Sequence, residues 1–71
     1  MKYLVVIEKG RRSWGAHVPD LPGCIAAAKT RADVVKLIKE AIEFHIEGLK
    51  EAGMKVPPPH SEGRVVDVTA A

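Results

Sequence analysis

The spacing of apolar residues near the start of the chain predicts a β-strand over residues 2–8. Successive side chains of a strand point to opposite faces, and here both faces carry apolar side chains, with Glu8 the one charged residue after Lys2. A strand that is apolar on both faces is typical of a central strand, or of a sheet whose outer face packs on another subunit. The sequence leaves both interpretations open.

Three further segments have the length and composition of short strands: residues 14–18, 24–28 and 64–69. The charged turn at 9–13 contains a glycine, so the first two strands are expected to form a hairpin. The third strand contains three consecutive alanines. Because small side chains allow close approach, we expect the helix to cross the sheet there.

Apolar residues at intervals of three and four over residues 34–52 predict one amphipathic helix. Thr30 can cap its first turn, with Asp33 three residues later, and Gly53 is a natural stop. Such a helix is about 33 Å long at 1.5 Å per residue, whereas typical strands measure about 17–20 Å. The helix should therefore overhang the sheet unless a second copy covers its end, which predicts a homodimer or larger assembly.

Together these elements predict one α+β domain over residues 1–71 with the order β-β-β-α-β. One long helix would pack on a four-stranded sheet. A chain of 71 residues buries only about 60% of the surface that it exposes when unfolded, so its stability should be modest.

The sharpest turn signal is the segment 18–24, Val-Pro-Asp-Leu-Pro-Gly-Cys. Pro22 presets φ for the first central position of a turn, and Gly23 supplies the positive φ that a type II turn needs next. Pro19 restrains the residue before it to extended geometry. These three residues and Cys24 form the structural motif of a rigid loop.

Asp20 and Leu21 lie at the tip of this loop. Because a rigid loop loses little entropy on binding, we expect these two residues to contact a protein partner. The alternative, that the motif only supports the fold, stays equally open.

Composition narrows the classes of function. Eleven basic and nine acidic residues give a net charge of +2, which is too balanced to indicate nucleic acid on charge alone. Cys24 is the single cysteine, and no secretory signal or apolar run of the ~20 residues that span a bilayer is visible. These features predict a soluble cytoplasmic protein.

The sequence contains little that indicates a catalytic site. Cys24 has no motif that would activate it as a nucleophile, and the three histidines show no metal-ligand spacing. The carboxylates of Glu8, Asp20 and Asp67 have no reason to converge as in a two-metal nuclease. We therefore expect no enzyme activity, no metal and no cofactor.

A nucleic-acid site is the main alternative from the residues themselves. Lys9, Arg11 and Arg12 form a basic turn next to Trp14, and such a turn could hold a phosphate while the indole stacks on a base. An ordinary solvated hairpin turn, with the tryptophan in the core, is the simpler interpretation.

The chain resembles the HicB antitoxin family over residues 1 to about 60. The resemblance rests on four segments: the first strand at 3–8, the aromatic-led second strand running into 18–24, the Thr-capped helix at 30–52 with its ending at 47–53, and the Val-Pro exit at 56–59. The proline loop is the most specific of these segments.

This resemblance implies a shortened ribonuclease H-like fold without a nuclease site. It also implies a protein that masks a small RNA-cleaving toxin of the HicA type and often oligomerises. Family members commonly carry a further DNA-binding module, which residues 1–71 do not contain, so DNA binding is not expected. The alternative is a stand-alone oligomeric module, or a weak RNA-binding protein, with no toxin partner.

Overall fold

The computed structural model describes residues 1–70. Its elements, in chain order, are β1 (Val6–Lys9), β2 (Trp14–His17), β3 (Ile25–Ala28) and α1 (Arg31–Glu51). The strands form an antiparallel sheet in the order β1-β2-β3, and α1 packs across β2 and β3. The predicted α+β class, with one long helix on a sheet, is confirmed.

The register of the sheet separates a covered face from an open one. Ile7 and Ala26 lie on either side of buried Ala16, in the row that faces the helix. The adjacent row contains His17 and Ile25, of which Ile25 is 71% exposed. The small residues of β3 allow α1 to lie close to that strand, as the run of alanines predicts.

Six residues form the buried core, and they come from β2, the proline loop and the helix: Ala16, Val18, Leu21, Cys24, Val34 and Ile38. Leu21 and Val34 are fully buried. Half-buried apolar residues from β1 and the helix surround this cluster. The core is therefore small, and the proline loop supplies much of it.

Local signals fix both ends of the helix as the sequence predicts. The backbone N–H of Asp33 donates to Thr30 Oγ1 over 3.1 Å, which satisfies one of the free donors of the first turn. At the other end Gly53 has φ +70°, and the N–H of Met54 donates to the Leu49 carbonyl over 2.9 Å. Within residues 1–70, no helix combines the length and apolar character needed to cross a membrane.

The prediction of a fourth strand is wrong. Residues 64–69 pair with no strand, and the sheet described over residues 1–70 has three strands. The tail's valines lie in solvent, with Val65 100% and Val68 75% exposed. Alternation gives a segment strand propensity, but a strand forms only where another edge supplies hydrogen-bond partners.

The first strand is also shorter than predicted, since it begins at Val6 instead of Lys2. Val6 pairs with His17, the last residue of β2. Beyond His17 the chain enters the proline loop, so residues 2–5 have no neighbouring strand. The edge of β1 is therefore only four residues long.

Candidate interaction site

Three backbone hydrogen bonds close the proline loop. The N–H of Val18 donates to the Cys24 carbonyl, that of Leu21 to the Val18 carbonyl, and that of Cys24 to the Leu21 carbonyl, over 3.0–3.1 Å. Gly23 has φ +84°, the value that the third residue of a type II turn requires. Pro22 and Gly23 therefore form the turn that the sequence predicts.

Asp20 holds residues 60 and 61 against this loop. Its Oδ2 accepts hydrogen bonds from the backbone N–H groups of His60 and Ser61, both over 2.8 Å. Its Oδ1 accepts from the Ser61 hydroxyl over 2.7 Å and lies 2.5 Å from His60 Nδ1. We call this arrangement the Asp20 clamp.

The charge of the clamp is stabilised by its donors. Burial of the Asp20 side chain, which is 1% exposed, acts to raise the pKa of the carboxyl, but the hydrogen bonds from Ser61 and His60 outweigh burial and lower it. A carboxylate that accepts several N–H and O–H bonds is held in its charged form. Asp20 is therefore an ionised, structural group.

One hydrogen bond and one close approach bring the segment between the helix and the tail beside the start of the chain. The Tyr3 hydroxyl donates to the Pro57 carbonyl, and a Cβ at Gly63 would lie 2.9 Å from Leu4 Cδ1. Residues 54–63, which we call the C-terminal strap, therefore run past the start of the chain and across the proline loop. Hydrogen bonds from His60 and Ser61 to Asp20 therefore join the strap to the loop at this end of the domain.

The structure places the predicted contact residues inside the domain. Asp20 is 5% exposed and Leu21 is fully buried, so neither side chain is free to meet a partner in this conformation. Their burial favours the alternative that the proline motif supports the fold. A partner contact through these two residues stays an untested prediction.

The groups considered for catalysis are separated. Cys24 is a buried free thiol, and burial raises its pKa, which reduces the reactive thiolate. Glu8 lies 3.8 Å from His17 Nδ1 on the open face of the sheet, away from the Asp20 clamp. Among residues 1–70, no group of three or more His, Cys, Asp or Glu side chains is placed to hold a metal ion.

The basic turn has the composition predicted for the nucleic-acid alternative, but its aromatic ring is already in use. Lys9 Nζ lies 5.9 Å from the centroid of the Trp14 ring, a cation–π contact, and Trp14 packs against the core. Arg11 and Arg12 are exposed. Lys9 and the core therefore already cover part of the Trp14 side chain.

The helix leaves part of its apolar surface exposed. An open groove of about 480 Å³ lies between the first residues and the second half of α1; its lining includes Tyr3, Ile42 and Ile46. On α1 itself, Phe44 is 80% and Leu37 is 42% exposed. Sequence reasoning missed Phe44, although its position off the buried stripe is a usable signal of exposure.

A protein-family model and a solved structure are similar to this chain. A protein-family model described as "HicB_like antitoxin of bacterial toxin-antitoxin system" matches residues 3–69. A chain in the solved structure titled "HicA3 and HicB3 toxin-antitoxin complex" superposes with a TM-score of 0.72 at 37% identity, over 83% of this chain and 70% of that one.

Two curated relatives differ in how much of their length is matched. An uncharacterized 14.9 kDa protein of Haemophilus phage HP1 is 42% identical over 57 residues, which cover 80% of this chain and 43% of the phage protein. A UPF0150 protein of Thermoplasma acidophilum is 41% identical over 63 residues, which cover 87% of this chain and 91% of that protein. The chain thus spans less than half of the first relative and nearly all of the second.

Proposed function

The chain belongs to the HicB-like antitoxin family, and from this membership we propose that it binds and masks a HicA-type, RNA-cleaving toxin. The observation that carries the proposal is its likeness to a chain of a HicA3 and HicB3 complex, at 37% identity and a TM-score of 0.72. Masking requires tight binding and no chemistry, so the role that we propose is non-catalytic. Because its target acts on RNA, we place the protein in the cytoplasm.

A masking protein needs a surface that keeps its shape, since ordering a loose segment on binding costs affinity. The Asp20 clamp ties the strap to the proline loop, and the Tyr3–Pro57 hydrogen bond ties it to the first residues of the chain. The helix is capped at both ends. These contacts support a preformed binding module.

Growth neutralisation tests the proposal in cells. A HicA-type toxin from the chain's own genome is expressed from an inducible promoter, and colony formation is counted with and without co-expression of the chain. We expect the toxin alone to lower colony counts by at least 100-fold and the chain to restore them. A toxin molecule that is bound to the chain cannot cleave RNA.

The matched control is the Val34→Asp variant, which places a carboxylate at a fully buried position and should not fold. It is expected to give no rescue. If the folded wild-type chain gives no more rescue than this variant with any HicA-type toxin of that genome, the proposed function is contradicted.

We also propose that the protein self-associates, because its tail exposes a row of valines that would be buried more favourably between subunits. Val66 and Val68 are 65% and 75% exposed. Light scattering after gel filtration at micromolar concentration should give at least twice the mass of one chain. Lysine at both valines should shift the mass towards one chain, whereas Thr69→Lys should not. A single-chain mass for the wild type would refute self-association.

A further inference from the structure

One row of exposed residues along α1 combines apolar and acidic side chains. Its members recur at intervals of four and three, which places them on one face of a helix, and all are exposed. We call this set the helix row: Asp33, Leu37, Glu40, Phe44, Glu47 and Glu51. It lies beside the buried stripe that contains Val34 and Ile38.

The apolar part of the helix row lies outside the buried core. Phe44 is 80% exposed and Leu37 is 42% exposed, and they lie two turns apart, about 10 Å along the axis. An aromatic ring on a rigid helix loses little conformational freedom when it enters a partner's pocket, which is why such residues dominate binding energies. Helices that dock in this way use anchors with the same spacing.

The charged part of the row restricts what the partner can be. Its four charged members are all acidic, whereas the basic residues of the helix fall outside it: Arg31, Lys36, Lys39 and Lys50. Two copies meeting through this row would set carboxylates against carboxylates, which opposes association. A nucleic-acid backbone would be repelled for the same reason. The row therefore suits a protein with a basic surface around an apolar pocket.

We propose that the helix row is the docking surface for the toxin, with Phe44 as its central anchor and Glu40 and Glu47 as its charge contacts. The inference rests on the proposed function for the identity of the partner. A protein that holds RNA presents basic side chains to the phosphates. A chain that docks acidic side chains on those groups covers the surface that the RNA needs.

Binding of the purified chain to the toxin from the neutralisation assay tests this surface. The row variants are Phe44→Ala and the double variant Glu40→Lys/Glu47→Lys. The matched control is Glu43→Lys/Glu62→Lys, which changes the net charge equally at exposed positions outside the row. Each double variant removes one lysine–glutamate pair four residues apart on the helix, Lys36/Glu40 or Lys39/Glu43. The row variant also removes the Glu47/Lys50 pair, three residues apart, so the helix content of each variant is measured beside its affinity.

We expect each row variant to weaken the toxin affinity at least tenfold and the control to stay within threefold of wild type. The wild-type affinity should also fall as the salt concentration is raised, because salt screens the attraction between exposed charges of the two proteins. Far-UV circular dichroism must show an unchanged helix in every variant.

The possible failures are distinguishable. If the wild type binds the toxin and the row variants bind equally well, the row is not the docking surface, while the proposed function stands. If the row variants change the self-associated mass and leave toxin binding intact, a second copy covers the row and the inference is overturned. If the wild type binds no HicA-type toxin of its genome, both the inference and the proposed function fail.

Discussion

Replacing Leu21 with alanine is expected to remove about half of the stability of the domain. Leu21 is fully buried beside Val18, Cys24 and Val34 in the core, and truncating a buried leucine costs about 2–5 kcal/mol. A 71-residue domain has about 4–11 kcal/mol in total, at roughly 0.05–0.15 kcal/mol per residue. The loss is therefore about half of the free energy of unfolding.

Urea unfolding at 25 °C, followed by circular dichroism at 222 nm, measures this loss. The matched control is Ile25→Ala, because Ile25 is also a large aliphatic residue near the loop but is 71% exposed. The control should change the free energy of unfolding by less than about 0.5 kcal/mol. A Leu21→Ala variant as stable as this control would contradict the core role of the loop tip.

Replacing Asp20 with asparagine is expected to lower the melting temperature at pH 7 by about 5–15 °C. Asp20 accepts three hydrogen bonds from His60 and Ser61. Asparagine has an NH₂ group in place of one of the two carboxylate oxygens. This group donates hydrogen bonds, so it would face the buried N–H or O–H donor that the oxygen binds in the wild type. The strap would then separate from the proline loop.

The same substitution should remove a pH dependence. The pKa of Asp20 is lowered from 3.8 by its hydrogen bonds, against the effect of burial, so the unfolded chain binds the proton more readily than the folded one. The contribution of the carboxylate is therefore fully present above about pH 4 and is lost as the pH falls through the lower, folded-state value. The difference in melting temperature between wild type and Asp20→Asn should shrink over that acidic range.

Asp67→Asn is the control for the Asp20 clamp, because Asp67 is exposed on the tail. Its melting temperature should follow that of the wild type from pH 7 down to pH 2.5. Equal melting curves for Asp20→Asn and wild type at pH 7 would show that the clamp contributes nothing to stability.

The features that the sequence predicts well are those that depend on near neighbours. Thr30 caps the helix because its oxygen lies beside the N–H of Asp33, and Gly53 ends it because a positive φ is needed there. The turn at Pro22 and Gly23 depends on the same kind of local restraint. Each of these is fixed within a few residues of chain.

The features that the sequence does not predict depend on distant contacts. Asp20 is polar and follows a proline, which is typical of an exposed turn, yet His60 and Ser61 reach it from 40 and 41 residues away and bury it. Residues 64–69 have the alternation of a strand but pair with neither outer edge of the three-stranded sheet. Local spacing predicts neither the burial of Asp20 nor the missing strand at 64–69. Each depends on contacts with a segment that is distant in the sequence.

RNA cleavage in vitro shows whether this chain silences a toxin by binding it. Purified toxin is incubated with a labelled messenger RNA, and increasing amounts of the purified chain are added. We predict that cleavage falls in proportion to the added chain and stops once enough chain is present to bind all of the toxin. The Val34→Asp variant should have no effect on cleavage. Cleavage that continues unchanged with a several-fold excess of folded wild-type chain would show that the chain does not silence the toxin.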